Sequence, residues 1–174
     1  MGRNYGIDCT LEKYLSNGYY FLLTGSLFKS EFKGGDQEWR STRYNQGILA
    51  NFLIGKEWLL GKSHQNVFSA NVRTSYQGGV HYSPVDQSAS LAAKETVFDE
   101  TCAYSLQFPS TFCIHFTVSY KINKKKTGSE FALKVLNATQ LKEFTDFEYN
   151  YKTQTIDKRS DAIFIPNLSY KIEF

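Results

Sequence analysis

Residues Phe112 to Ile122 read FCIHFTVSYKI. Phe112, Ile114, Phe116, Val118, Tyr120 and Ile122 alternate without a fault against Cys113, His115, Thr117, Ser119 and Lys121. Successive side chains of an extended chain point to opposite faces, so this stretch predicts a strand with one apolar and one polar face. Its aromatic and β-branched residues suit a pleated surface. Downstream, residues 123–128 (NKKKTG) predict a short turn, and Phe131, Leu133 and Val135 open a further strand that becomes irregular after Asn137. Upstream, Phe68, Ala70, Val72, Thr74 and Tyr76 alternate with Ser69, Asn71, Arg73, Ser75 and Gln77.

The same period recurs along the chain. Tyr5, Ile7, Cys9 and Leu11 alternate with Gly6, Asp8, Thr10 and Glu12, and Ser16-Asn17-Gly18 then supplies the residues of a tight hairpin turn. The run from Tyr19 to Phe32 is apolar on both faces at first, so its inside and outside stay open. A polar loop follows. A strand is expected from about Tyr44 to Trp58, with Ile48, Ala50, Phe52 and Ile54 on one face, closed by Gly61-Lys62-Ser63-His64-Gln65. Alternation stops over residues 78–104, within which residues 86–94 (DQSASLAAK) predict a turn or two of helix. Near the C-terminus a hairpin tip is expected around residues 149–153, with the chain returning through Ile163 and Ile165. Pro166 stands at the start of the last clean run, where a missing donor costs least.

These segments make roughly seven strands. Short and long connections alternate: short at residues 16–18, 59–65 and 123–128, long at residues 33–43 and 78–104, then a long hairpin. Transmembrane barrels show this asymmetry, with short periplasmic turns and longer outer loops. Eleven residues at about 3.3 Å each, tilted by some 40–45°, rise close to the 25 Å apolar band of such a wall. The expected fold is therefore all-β, an antiparallel curved sheet of about seven strands forming part of a transmembrane β-barrel.

Composition agrees. Of the 174 residues 41% are hydrophobic and 21% charged, which argues against disorder. The aromatic share, 16%, is high and suits both strands and membrane-interface belts. Trp58, Tyr120 and Tyr170 are the expected belt residues at the short-turn ends. A net charge of +3 is too small to imply nucleic acid, and Lys124, Lys125 and Lys126 read as a solvated turn. Cys9, Cys102 and Cys113 lack a CxxC pair, so neither a disulfide framework nor a zinc site follows. No apolar run approaches 18 residues, so a membrane-spanning form must be a barrel. The N-terminal residues lack the apolar core of an export signal, which places the expected natural start upstream of Met1.

The last residues, Asn167 to Phe174 (NLSYKIEF), resemble the C-terminal signature of outer-membrane barrels, in which a terminal Phe follows alternating apolar residues, here Leu168, Tyr170 and Ile172. More of the chain resembles the end of a TonB-dependent receptor. The likeness is carried by SYQGG at residues 75–79, YSPVD at 82–86, SLAA at 90–93, FTVSYKIN at 116–123, and then Asp99-Glu100, Tyr104-Ser105-Leu106-Gln107 and Leu136-Asn137-Ala138-Thr139. This resemblance implies that residues 1–174 are the C-terminal segment of a receptor barrel, with plug and first strands absent. It implies energised uptake across a bacterial outer membrane of a ligand too large or scarce for porins: a metal chelate, vitamin, glycan or peptide. The implied partners are outer-membrane lipid, the barrel-assembly machinery, which reads Leu168, Tyr170, Ile172 and Phe174, and the TonB system through the missing N-terminal part. No cofactor is implied. Outer loops 33–43 and 78–104 become candidate ligand-facing parts, and Asn71, Arg73, Ser75, His115, Thr117 and Ser119 the lumen-facing candidates.

Two sharper readings carry less. Ser26-Leu27-Phe28-Lys29 matches SxxK and Lys126-Thr127-Gly128 matches KTG, marks of penicillin-recognising serine acyl enzymes. That chemistry needs Ser at a helix start with Lys one turn away, whereas residues three apart in a strand face opposite ways. The histidines His64, His81 and His115 share no metal-ligand spacing. The substantial rival is a small soluble β-barrel that carries a ligand inside, since alternation alone does not decide which face meets oil. Loop asymmetry and the terminal Phe174 favour the membrane reading.

Overall fold

The computed structural model describes residues 1–62 and 64–174; Ser63, within the expected turn at residues 61–65, lies outside them. Seven long strands follow one another through a single antiparallel sheet. They are β1 (Gly2–Ser16), β2 (Tyr19–Lys33), β4 (Ile48–Leu60), β5 (Asn66–Gln77), β8 (Thr111–Asn123), β9 (Gly128–Leu136) and β12 (Ile165–Glu173). Short β3 (Trp39–Ser41) adds to β2 and brings this sheet to 8 strands. Two small hairpins stand apart, β6 (His81–Tyr82) with β7 (Leu106–Gln107), and β10 (Glu143–Asn150) with β11 (Thr155–Asp161). The sheet is open: among the described residues β1 pairs only with β2 and β12 only with β9. Among the described residues, no helix is long and apolar enough to cross a membrane.

Turn chemistry sets the register. Asn17 and Gly18 both have positive φ, 53° and 78°, as a two-residue hairpin turn requires. A side chain at Gly18 would also strike the carbonyl of Glu57, whose N–H donates to the Gly18 carbonyl at 2.7 Å. At Gly55 the reason for glycine is different. The ring of Tyr20, its register partner, lies where a Cβ would stand, so the aromatic ring covers the strand's missing side chain.

Register then decides the faces. Phe21, Ile54, Val72, Phe116, Val135 and Pro166 form one continuous cross-strand row, flanked on the same face by the row Leu11, Leu23, Phe52, Thr74 and Ile114. This settles the open question in β2: Phe21, Leu23 and Leu27 share the apolar face, while Tyr20, Leu22 and Phe28 take the polar one. The apolar face stays exposed, with Ile7 at 77% and Leu168 at 84%. Among the described residues its charged strand residues lie at the two ends, Lys33 at the end of β2 included. Arg3, Lys29 and Glu31 cluster by the long loops, with both cations 2.7 Å from the Glu31 carboxylate; Lys13 and Lys56 lie by the short turns.

The strands are also staggered. Tyr19, the first residue of β2, registers with Lys56, yet β4 continues to Leu60 and β8 continues past Lys121, the partner of Val67, to Asn123. At the other end β2 runs to Lys33, well beyond Leu27, where β4 begins, whereas β9 stops at Leu136. Both ends of the sheet therefore step in the same direction, as tilted strands do in a closed wall.

Close packing is confined to the long-loop end. Phe108 is buried and stacks on Tyr82 with centroids 4.2 Å apart, and Phe147 leans on both rings. The predicted helical turn is there too, as α1 (Gln87–Ala93). Asp86 accepts from the Ala89 N–H at its start, and Lys94 ends it in the left-handed region. Ser90 is fully buried, donating to the Asp86 carbonyl and accepting from the Val97 N–H at 2.9 Å, which ties the helix to its return strand. The strand expected from Tyr44 begins only at Ile48. The Asn45 side chain accepts from the Ser30 N–H at 2.8 Å and Gly47 has φ 77°, so this stretch follows β2 through isolated bonds, the Phe28 N–H donating to the Gly47 carbonyl at 3.0 Å, and not as a regular ladder.

Candidate functional site

Two neighbouring strands carry all six polar candidates. Asn71 registers with Thr117, Arg73 with His115, and Ser69 with Ser119, while Ser75 opposes Cys113. Asn71, Arg73, Ser75, His115, Thr117 and Ser119 therefore form one contiguous patch on the polar face. Strand periodicity explains this: each is one residue out of step with Ala70, Val72, Phe116 or Val118.

Lys134 joins the patch from β9, opposite Thr117, with Asn167 of β12 on its other side. Its place was legible only through parity with Leu133 and Val135. Neither Arg73 nor Lys134 has a carboxylate within ion-pair distance among the described residues. The patch thus presents two uncompensated cations amid amide, hydroxyl and imidazole groups, a setting that favours an anionic group or an acidic surface. His115 has a defined partner: its Nδ1 accepts the Asn137 N–H at 3.1 Å, which puts the ring hydrogen on Nε2. Asn137 sits at φ 48°, and its side chain donates to the Leu141 carbonyl at 3.1 Å. His115 therefore fixes the turn by which the chain leaves β9 for the outer hairpin.

Above this patch the loops make a crown. Gln77 donates to the Glu143 carboxylate at 3.0 Å, and Thr96 to the Phe147 carbonyl at 3.2 Å, so the β10–β11 hairpin is held to β5 and to the 78–104 loop. A small recess of about 110 Å³ opens there, with Arg43, His81, Glu100 and Asp146 around the rings of Tyr82 and Phe108. His81 Nδ1 lies 3.0 Å from the Tyr104 carbonyl, so it donates and anchors that loop. Loop 33–43 is fastened by β3 and by the Arg40–Asp36 ion pair, which holds the Asp36 carboxyl below its ordinary range.

Ser26 and Lys29 lie in β2 and face opposite ways, with the lysine ammonium bound to Glu31. Cys9, Cys102 and Cys113 are all free thiols. Among the described residues no three His, Cys, Asp or Glu side chains gather into a metal-holding group.

At the C-terminus Leu168, Tyr170 and Ile172 share the apolar face, opposite Leu133, Phe131 and Ser129, and Phe174 is 96% exposed beyond them. The expected belt residues also align. Trp58, Phe68, Tyr120, Phe131 and Tyr170 form one cross-strand row on the apolar face near the short turns. Phe68 and Phe131 were not singled out with them in the sequence, because which residues share a row depends on register. No protein-family model, curated protein or solved structure matches the chain.

Proposed function

We propose that this chain is a wall segment of an outer-membrane transporter barrel of the TonB-dependent type, its apolar face to lipid and its polar face to the lumen. The observation that carries the reading is the continuous apolar face over seven strands, free of charge through its middle and largely uncovered, with Val135 the buried exception in its central row. Soluble proteins rarely leave apolar patches larger than a few hundred Å² uncovered. Lipid covers such a face at no cost, provided that every backbone group pairs within the sheet.

Three further features support this reading. An aromatic row lies at one margin of the apolar face, where rings sit between oil and water. The strands are staggered as barrel strands must be. Long loops gather at one end and short turns at the other. In this arrangement Arg73 and Lys134 face the lumen with His115, Asn71, Ser75, Thr117 and Ser119. The loop crown around Arg43, Glu100 and Asp146 faces the outside. A ligand would meet the crown first and the cationic lumen patch after the plug has moved.

The test is the size and location of the native polypeptide, probed on isolated outer membranes with an antibody to the C-terminal residues. A membrane band several times larger than 20.0 kDa is the expected result. A band of 20.0 kDa in the soluble fraction overturns the proposal in favour of a self-contained ligand carrier.

A further inference from the structure

Charge at the short-turn margin is sorted by face. The carboxylates Glu12, Glu57, Glu130 and Glu173 all lie on the polar face, in register with Leu22, Ser69, Lys121 and Gly128. On the apolar face the same margin carries only cations, Lys13 on β1 and Lys56 on β4. Neither has a carboxylate partner among the described residues. A lysine on a lipid-facing row is costly unless something at the headgroup level compensates it.

Lys56 is held in a defined pose. Its ammonium donates to the Tyr19 hydroxyl at 2.5 Å and lies 4.3 Å from the Tyr19 ring centroid and 5.1 Å from that of Trp58. Two aromatic faces and a hydroxyl orient the charge without neutralising it. Directly beside it runs a trough of about 310 Å³ on the apolar face, lined by Tyr19, Ile54, Ala70, Val72, Phe116 and Val118. The trough exists because Ala70 stands between Lys56 and Val118 in one cross-strand row and is the smallest side chain of the three. A carbon-lined furrow ending at an oriented, unpaired ammonium matches one occupant: an acyl chain whose headgroup carries a negative charge.

Resting on the membrane-wall reading, we infer that Lys56, Tyr19 and the Ala70 trough form a binding site for an anionic phospholipid in the leaflet at the short-turn end. Lys56 and the Tyr19 hydroxyl hold its phosphate, and the trough takes one acyl chain. Lys13 and the turn lysines Lys124, Lys125 and Lys126 add a diffuse attraction for the same leaflet.

Trp58, beside Lys56, reports occupancy. It becomes the sole tryptophan of the complete barrel when Trp39, the other of the 2 in this segment, and every tryptophan outside the segment are replaced by phenylalanine. The complete barrel that contains this segment is reconstituted by detergent removal into phosphatidylcholine vesicles with a minority of phosphatidylglycerol, and either lipid is brominated on its acyl chains in turn. Brominated phosphatidylglycerol should quench Trp58 about twofold to fivefold more strongly per molecule than brominated phosphatidylcholine, the upper value being what one lysine at a charged surface confers. Lys56→Gln should equalise the two while leaving the quenching by phosphatidylcholine in place. A Lys124→Gln, Lys125→Gln, Lys126→Gln variant should keep most of the preference. Equal quenching in the parent protein, or a preference lost only in the triple variant, overturns the site and leaves the wall reading standing. No quenching by either lipid means that something other than lipid covers the apolar face, and both fall.

Discussion

At the residue scale, the side chains that fix geometry differ from those proposed to face a ligand. His115 accepts the Asn137 N–H and so holds the exit turn of β9; Arg73, its register partner, holds nothing. His115→Ala should speed amide exchange at Asn137 about fivefold, the equivalent of a ~1 kcal/mol hydrogen bond, with little change at Arg73; unchanged exchange would remove His115 from this role. Asp86 makes a similar prediction in pH. The Ala89 N–H, and after it the Ser88 hydroxyl, hold its carboxyl below the ordinary range. A depressed carboxyl contributes stability that is present above the unfolded value, about 3.9, and is lost as pH falls through the folded one. Protection of the Ala89 amide should therefore stay flat from neutral pH to about 4 and decline only below. A decline centred near pH 6 would mean that another group governs the cap. Lys56 shows why such details hide in a sequence. In GKEW parity with Ile54 puts it on the apolar face, but only the pairing brings it beside Tyr19 and Ala70.

At the scale of the element, period-two alternation made β5, β8 and β12 legible, because one face of each is uniformly apolar and a one-residue slip would reverse every side chain. The six polar candidates came with them, as the out-of-step residues. β2 was not legible in this way. Leu22 and Phe28 lie on its polar face, so both faces look apolar until β4 supplies the partner rows. The loop crown escaped altogether. Tyr82, Phe98, Phe108, Phe144 and Phe147 come together from separate loops and a hairpin, with no period to announce them. Adjacent residues of β8 test the assignment of faces. Phe116→Arg should cost about 2–4 kcal/mol of folding free energy in lipid vesicles, as an arginine does near mid-bilayer, while Thr117→Arg should cost well under half of that. Equal losses in urea titrations would refute the lipid–lumen assignment.

At the scale of the whole molecule, the proposed wall makes the exposed terminal strand the part on which assembly would depend. In a full receptor Phe174→Ala should lower the amount reaching the outer membrane several-fold and leave ligand affinity in the surviving fraction unchanged; normal membrane levels would end that idea. The antiparallel path from β1 to β12 has a further consequence. Its neighbours alternate in direction, and its count of seven is odd, so β1 and β12 both descend toward the short turns. For the proposed wall, an all-antiparallel complement would then begin and end with an ascending strand. An upright second copy offers two descending ones, and a copy that ascends at both borders is upside down, with its long loops in the wrong compartment. If the sheet is the wall proposed above, all-antiparallel completion by an upright second copy is therefore closed to it, and a ring so completed carries no rotational symmetry that repeats this segment.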